Sequence, residues 1–133
     1  MLSFEGRAVR RMPWREMALV ELFGIANCDT MKKARRWLDA EGVAYRFHDY
    51  RKEGLESKTL AAWVERVGWE VLLNKRGTTW RKLSDAERAD LDTEKAITLM
   101  LAHPAMIKRP VLVMGDAIEV GYSPEQYGQL QIS

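Results

Sequence analysis

The spacing of apolar residues changes period along this chain, and each change marks an element. "ALVELFGIA" (18–26) is a short apolar run without helical spacing, so it predicts a buried strand. Met31, Ala34, Trp37 and Leu38 then recur at helical spacing. Asp29 or Thr30 is placed to cap that helix and Gly42 to stop it. "VAYRFHDY" (43–50) alternates and is rich in aromatics, which predicts a second strand. The unit is strand–helix–strand, and its crossover is long enough for a parallel pair.

The middle of the chain is helical in period. Ser57 opens a helix whose inner face is Leu60, Trp63, Val64 and Val67, with Gly68 at its end. Residues 69–75 predict a further helix that leads into the loop "KRGTTWRKL". Residues 84–103 predict helix with a break, the second part capped by Thr93 and facing inward through Ile97, Met100 and Leu101. "RPVLVMGDAIEVGY" (109–122) predicts a hairpin, with Gly115-Asp116 as a two-residue turn. In "SPEQYGQL", Ser123 is the N-cap, Pro124 the first helical residue and Gln126 the partner of a capping box. The order β-α-β, helical block, β-β-α describes a small α/β domain with an inserted helical segment.

Length and charge narrow the function classes. The 133 residues suit one domain, and 47% hydrophobic residues suffice for a core. A formal net charge of +2 gives no global argument for nucleic-acid binding. No apolar run approaches a membrane span, so no membrane partner is expected. Residues 1–16 are arginine-rich and lack periodicity. They read as a flexible extension before a domain at 17–133, with Met17 as a possible true start. One cysteine excludes an internal disulfide and, with no secretory signal, points to the cytoplasm. His48 and His103 lack metal-ligand spacing, so no metal is expected; the cations Lys75, Arg76, Arg81 and Lys82 read as a solvated loop.

The single cysteine, Cys28 in "GIANCDT", falls where the first strand ends and the helix begins. Unpaired backbone N–H groups converge there and the helix dipole favours an anion. Such a setting lowers a thiol's pKa and raises its reactive thiolate fraction. Lys32 adds positive charge one turn along, whereas Asp29 opposes it unless used in capping. The alternative is a small buried hydrophobe. The polar "ANCD" places the thiol at a surface rim, where Asn27, Thr30 and Lys32 are positioned to orient a ligand. Met31 stands where a C-x-x-C pair would have its second thiol, so any resolving thiol comes from another molecule. Arg109-Pro110 opens the third strand, and a guanidinium there offers a bidentate grip on an oxyanion or carboxylate; the alternative is an ordinary surface arginine before a turn proline.

The blocks "LFGIANCDTMKKARRWLDAEGVAYRFHDYRKEGL", "LLNKRGTTWRKL", "LAHPAMIKRPVLV" and "VGYSPEQY" together resemble the arsenate reductase-like family. This thioredoxin-like group includes glutaredoxin-coupled arsenate reductases, Spx-type transcription regulators and YffB-type proteins, and the likeness spans about residues 18–130. The "NCDT", "FHDYR" and "VGYSPEQY" segments are most similar to the YffB type. The resemblance implies a thioredoxin-like sheet with a helical insertion. It implies that Cys28 is the nucleophile, Arg109 an oxyanion-binding residue and Pro110 a cis-proline beside the thiol. It further implies a thiol oxidoreductase with no tightly bound cofactor. Glutathione would be its co-substrate, glutathione or a glutaredoxin-like protein its reductant, and a small oxidised thiol or oxyanion its substrate. Two alternatives come with it: an arsenate reductase proper, or a non-enzymatic Spx-like regulator that binds RNA polymerase and not nucleic acid directly. Arsenate reductases of this type carry arginines where this sequence has Asn74 and, by approximate alignment, Gly121. Lys75 and Arg76 lie near the first of these positions.

Overall fold

The computed structural model describes residues 20–115 and 117–130. The segment 1–16, Met17 and the second turn residue Asp116 lie outside the described residues. The chain divides into two compact units. One comprises residues up to His48 and from Arg109 onward; the other is Asp49–Lys108.

The first unit holds a four-stranded sheet in the order β2-β1-β3-β4. Its strands are β1 (Val20–Gly24), β2 (Arg46–Asp49), β3 (Val111–Met114) and β4 (Ala117–Val120). β1 and β3 pair antiparallel with Leu22 opposite Leu112, and β3 and β4 pair antiparallel with Val113 opposite Ile118. The sheet is mixed, which leaves β1 and β2 as its parallel pair. Helix α1 (Asp29–Ala40) is the crossover between them. Alternation in β1 sends Val20 and Leu22 to one face. There they meet Met31, Ala34 and Leu38 of α1, Leu112 and Met114 of β3, and Tyr127. Tyr127 belongs to α8 (Pro124–Leu130), which covers the same face. On the opposite face His48 Nε2 pairs with Glu21 Oε2 at 2.7 Å and the imidazole stacks on Phe23.

The second unit is helical: α2 (Tyr50–Glu53), α3 (Ser57–Val67), α4 (Trp69–Leu72), α5 (Thr78–Arg81), α6 (Asp85–Arg88), α7 (Thr93–Ala102) and a 3-10 turn at Pro104–Met106. α3 packs on α4 and α7. Leu73 and Ile107 form an isolated bridge, and the Tyr50 hydroxyl donates to the Ile107 carbonyl at 3.4 Å. No described helix is long and apolar enough to cross a membrane.

Several boundaries differ from the sequence expectation for local reasons. The second strand ends at Asp49, because that carboxylate accepts the Arg51 N–H and opens α2. Helix α3 does open at Ser57 as expected, with Glu56 as its N-cap. The N-cap of α7 is Asp92 and not Thr93, since its carboxylate takes the Lys95 N–H at 2.8 Å. The buried face of α7 is Ala96, Leu99 and Met100, with Ile97 and Leu101 only half-buried. "KRGTTWRKL" contains the single turn α5, and Arg81 Nη1 donates back to the Arg76 carbonyl across it. The box expected at α8 is half formed: Ser123 Oγ accepts the Gln126 N–H, but the Gln126 amide donates to Glu119 and the Val120 carbonyl instead. The hairpin turn is as its glycine requires, with Gly115 at φ 59°.

One contact sets how α1 sits on the sheet. A Cβ added at Gly24 would run into the thioether of Met31, which is wholly buried. Gly24→Ala therefore overpacks the core beneath the first turn of α1, at a cost of about 1–3 kcal/mol. Denaturant unfolding checks this. The double variant Gly24→Ala/Met31→Ala is expected to lose less than the sum of the single losses. Additive losses would mean that the two positions do not meet.

Candidate functional site

The candidate site is built at the strand-to-helix junction of the first unit. β1 ends at Gly24, and after three intervening residues the chain turns into α1 at its N-cap, Cys28. The N-cap is Cys28 itself, in extended geometry at φ −143° and ψ 129°. Its carbonyl accepts the Lys32 N–H at 3.0 Å, the first bond of the helix. Capping by Asp29 or Thr30 is thus corrected by one or two residues: both already lie inside the helix, and Asp29 is exposed.

The Cys28 thiol is half-buried and makes no conventional capping bond. A neutral thiol is a weak acceptor, whereas a thiolate is a strong one. Partial burial pushes the Cys28 pKa up, but this is outweighed. The Met31 N–H, the Arg109 guanidinium and the Thr30 N–H all favour the anion by hydrogen bonding, and the Arg109 charge adds to them. The net direction is down from the ordinary thiol value. The anion is thus favoured by two orphan amides of the first helical turn and by one cation supplied from the segment just before β3.

Cys28, Thr30 and Arg109 are brought together. Pro110 follows Arg109 across a cis peptide bond and is buried at the head of β3. Its carbonyl accepts the Gly121 N–H at 2.8 Å, which ties this loop to the end of β4. Asn27 is exposed, one residue before the thiol. Lys32 is exposed and meets Cys28 through its backbone N–H. The charge acting on the thiol is that of Arg109, which corrects the role expected of Lys32. Two contributors escaped the sequence reading. The Met31 amide acts on the sulfur although its side chain reads only as core, and Gly24 admits that side chain. No spacing rule signals either: the first depends on which residue is the N-cap and the second on how α1 packs over β1.

The two positions that lack arginine are structurally committed. Gly121 stands at φ 84°, a region that residues with a Cβ seldom enter. Asn74 uses its side-chain carbonyl to accept the Arg76 N–H at 3.0 Å, closing a local turn in the helical unit. Among the described residues no group of three or more His, Cys, Asp or Glu side chains could hold a metal ion.

Comparison with known proteins agrees with this architecture. The model of the ArsC family matches residues 23–130. The solved structure of a YFFB protein is 54% identical, covers 83% of this chain and 96% of its own, and superposes with a TM-score of 0.80. An arsenate reductase (ArsC) related protein from Brucella melitensis is 51% identical over 84% of this chain and 92% of its own, with a TM-score of 0.69. In sequence the chain is also 24% identical to the global transcriptional regulator Spx of Streptococcus mutans, over 81% of this chain and 80% of that one. With the matched region running from the second half of β1 to the end of α8, and with relatives at this identity sharing the fold, the chain belongs to the ArsC family.

Proposed function

We propose that this protein is a thiol oxidoreductase that works through a single nucleophilic cysteine and uses glutathione as its reductant. The observation that carries the proposal is the environment of Cys28: a half-buried thiol whose anion is favoured by the Met31 and Thr30 amides and by Arg109. The Cys28 thiolate attacks a mixed disulfide between glutathione and a substrate thiol. A bond forms between Cys28 Sγ and the glutathione sulfur, and the substrate sulfur leaves as a thiolate, which takes a proton from water. The thiolate of a second glutathione then attacks the glutathione sulfur of the adduct. Glutathione disulfide leaves and the Cys28 thiolate is regenerated. Per turnover one glutathione thiol is consumed: its sulfur ends in glutathione disulfide with the glutathione of the mixed disulfide, the substrate sulfur is released as a thiol, and no second protein cysteine is needed.

Kinship with an arsenate reductase-related protein brings arsenate into question as a substrate. The chemistry of the two replaced positions weighs against it. An oxyanion with several charged oxygens is best held by several guanidinium groups, and this chain offers asparagine and a positive-φ glycine at two of the places concerned. Kinship with a transcriptional regulator carries RNA polymerase as a partner only if no turnover is found.

Three measurements test the proposal. Reaction of Cys28 with iodoacetamide follows the thiolate fraction, so a lowered pKa puts the midpoint of its pH profile below the ~8.5 of a free thiol. Removing the Arg109 cation moves that midpoint up. A wild-type midpoint at or above the free-thiol value would refute the electrostatic account. Incubation with glutathione disulfide, read by intact mass, is expected to give one adduct that is absent in Cys28→Ser. A folded wild-type protein that stays unmodified would end the glutathione assignment. Arg109→Ala is expected to lower reductase efficiency about ten- to hundredfold, matching the roughly 1.5–3 kcal/mol of a charge-assisted hydrogen bond. Arg109→Lys should restore the alkylation midpoint but only part of the efficiency, because lysine lacks the planar fork. Unchanged efficiency, or a collapsed melting temperature, would remove Arg109 from the site.

A further inference from the structure

Beside the thiol lies a groove that the proposed chemistry has not used. It has a volume of about 550 Å³ and is lined on one side by Thr30, Lys33, Arg36 and Trp37 of α1. The 122–124 loop lines the other side. Two of its residues are cations and none is an acid. Its aromatic walls are fixed. Trp37 and Tyr122 both pack edge-on against the buried Tyr127, with ring centroids at 5.4 and 4.8 Å. The groove and the thiol share Thr30, two residues after Cys28: it contributes to the groove wall and its amide is one of those that favour the Cys28 anion.

We propose that this groove binds the carboxylate-bearing arm of a peptide-sized thiol or disulfide whose sulfur reacts at Cys28, with Lys33 and Arg36 pairing to the carboxylates. The inference rests on Cys28 acting on such a sulfur compound and names the surface that selects it. The dimensions fit. Along a helix rising ~1.5 Å per residue, Lys33 and Arg36 lie roughly 7 and 12 Å beyond Cys28. An extended tripeptide spans about 10–11 Å, so an arm of one molecule extends from the sulfur along the helix, and the long Lys33 and Arg36 side chains, which lean toward the helix N-terminus, meet it part-way. The volume is that of a small-molecule site. A cationic rim and a rigid aromatic wall suit a flexible, anionic peptide: the charges steer its approach and the wall needs no ordering on binding.

The experiment compares wild type with Lys33→Ala/Arg36→Ala in the full chain, with melting temperature as the folding control. Adduct formation at Cys28 is timed with glutathione disulfide, which carries carboxylates, and with hydroxyethyl disulfide, which carries none. The double variant is expected to react roughly tenfold more slowly with the first and at the wild-type rate with the second. In wild type, salt should slow only the charged probe. Equal loss with both probes, or loss with neither, would overturn the inference. A second arm uses S-methylglutathione, which cannot react, titrated by NMR into Cys28→Ser. Binding that disappears when Lys33 and Arg36 are also replaced supports the groove even if wild type forms no adduct, a result that would sink the glutathione-dependent reaction alone. Binding that survives their replacement would place the ligand elsewhere and refute the groove.

Discussion

The approach of α1 to the end of β1 is the constraint on which the rest depends. A helix can begin five residues after Gly24 only if its first inward side chain finds room over the strand. Met31 finds that room because Gly24 has no side chain. With the helix seated there, Cys28 becomes its N-cap, and the N–H groups of Thr30 and Met31 are left without helical partners beside the sulfur. The electrostatics of the thiol are a consequence of close packing, not of charge composition. The chain carries 21 basic and 19 acidic residues, and one arginine decides the local sign.

That arginine arrives by a separate route. Arg109 heads β3, whose register against β1 places Val111 opposite Phe23. The loop before β3 is braced where the Pro110 carbonyl takes the Gly121 N–H. Two segments eighty residues apart in sequence are thus brought to one sulfur by a sheet register and one backbone hydrogen bond. The groove along α1 belongs to the same assembly. Its aromatic walls rest on Tyr127, whose ring is part of the core that seats the helix.

Much of this was legible in the residues alone. The strand–helix–strand start, the helical insertion and the closing hairpin follow from apolar period and glycine placement, because burial on one face imposes that period whatever the tertiary partners are. The thiol at a helix start was legible for the same reason. What was not legible depended on competition between neighbouring caps or on distance in sequence. Asp92 and Thr93 are both competent caps, and only the geometry of the Lys95 amide chooses between them. Gln126 carries the right chemistry for a capping box but finds better partners in Glu119 and the Val120 carbonyl. Lys32 is near the thiol in sequence, yet it is exposed and the cation that acts on the sulfur is Arg109, which comes from another element.

The Gly24–Met31 contact also bears on how this site could change over generations. Placing cysteine at position 31 would create a dithiol and, with it, a switch that closes on itself. The substitution would empty the space that the thioether fills over Gly24, a cavity penalty within the core of the unit. A larger residue at position 24 would fill that space but overpacks the site while methionine remains. Each change is harmful without the other, so the two positions form an epistatic pair, and the single-thiol state is a local optimum that no one-step mutation leaves cheaply.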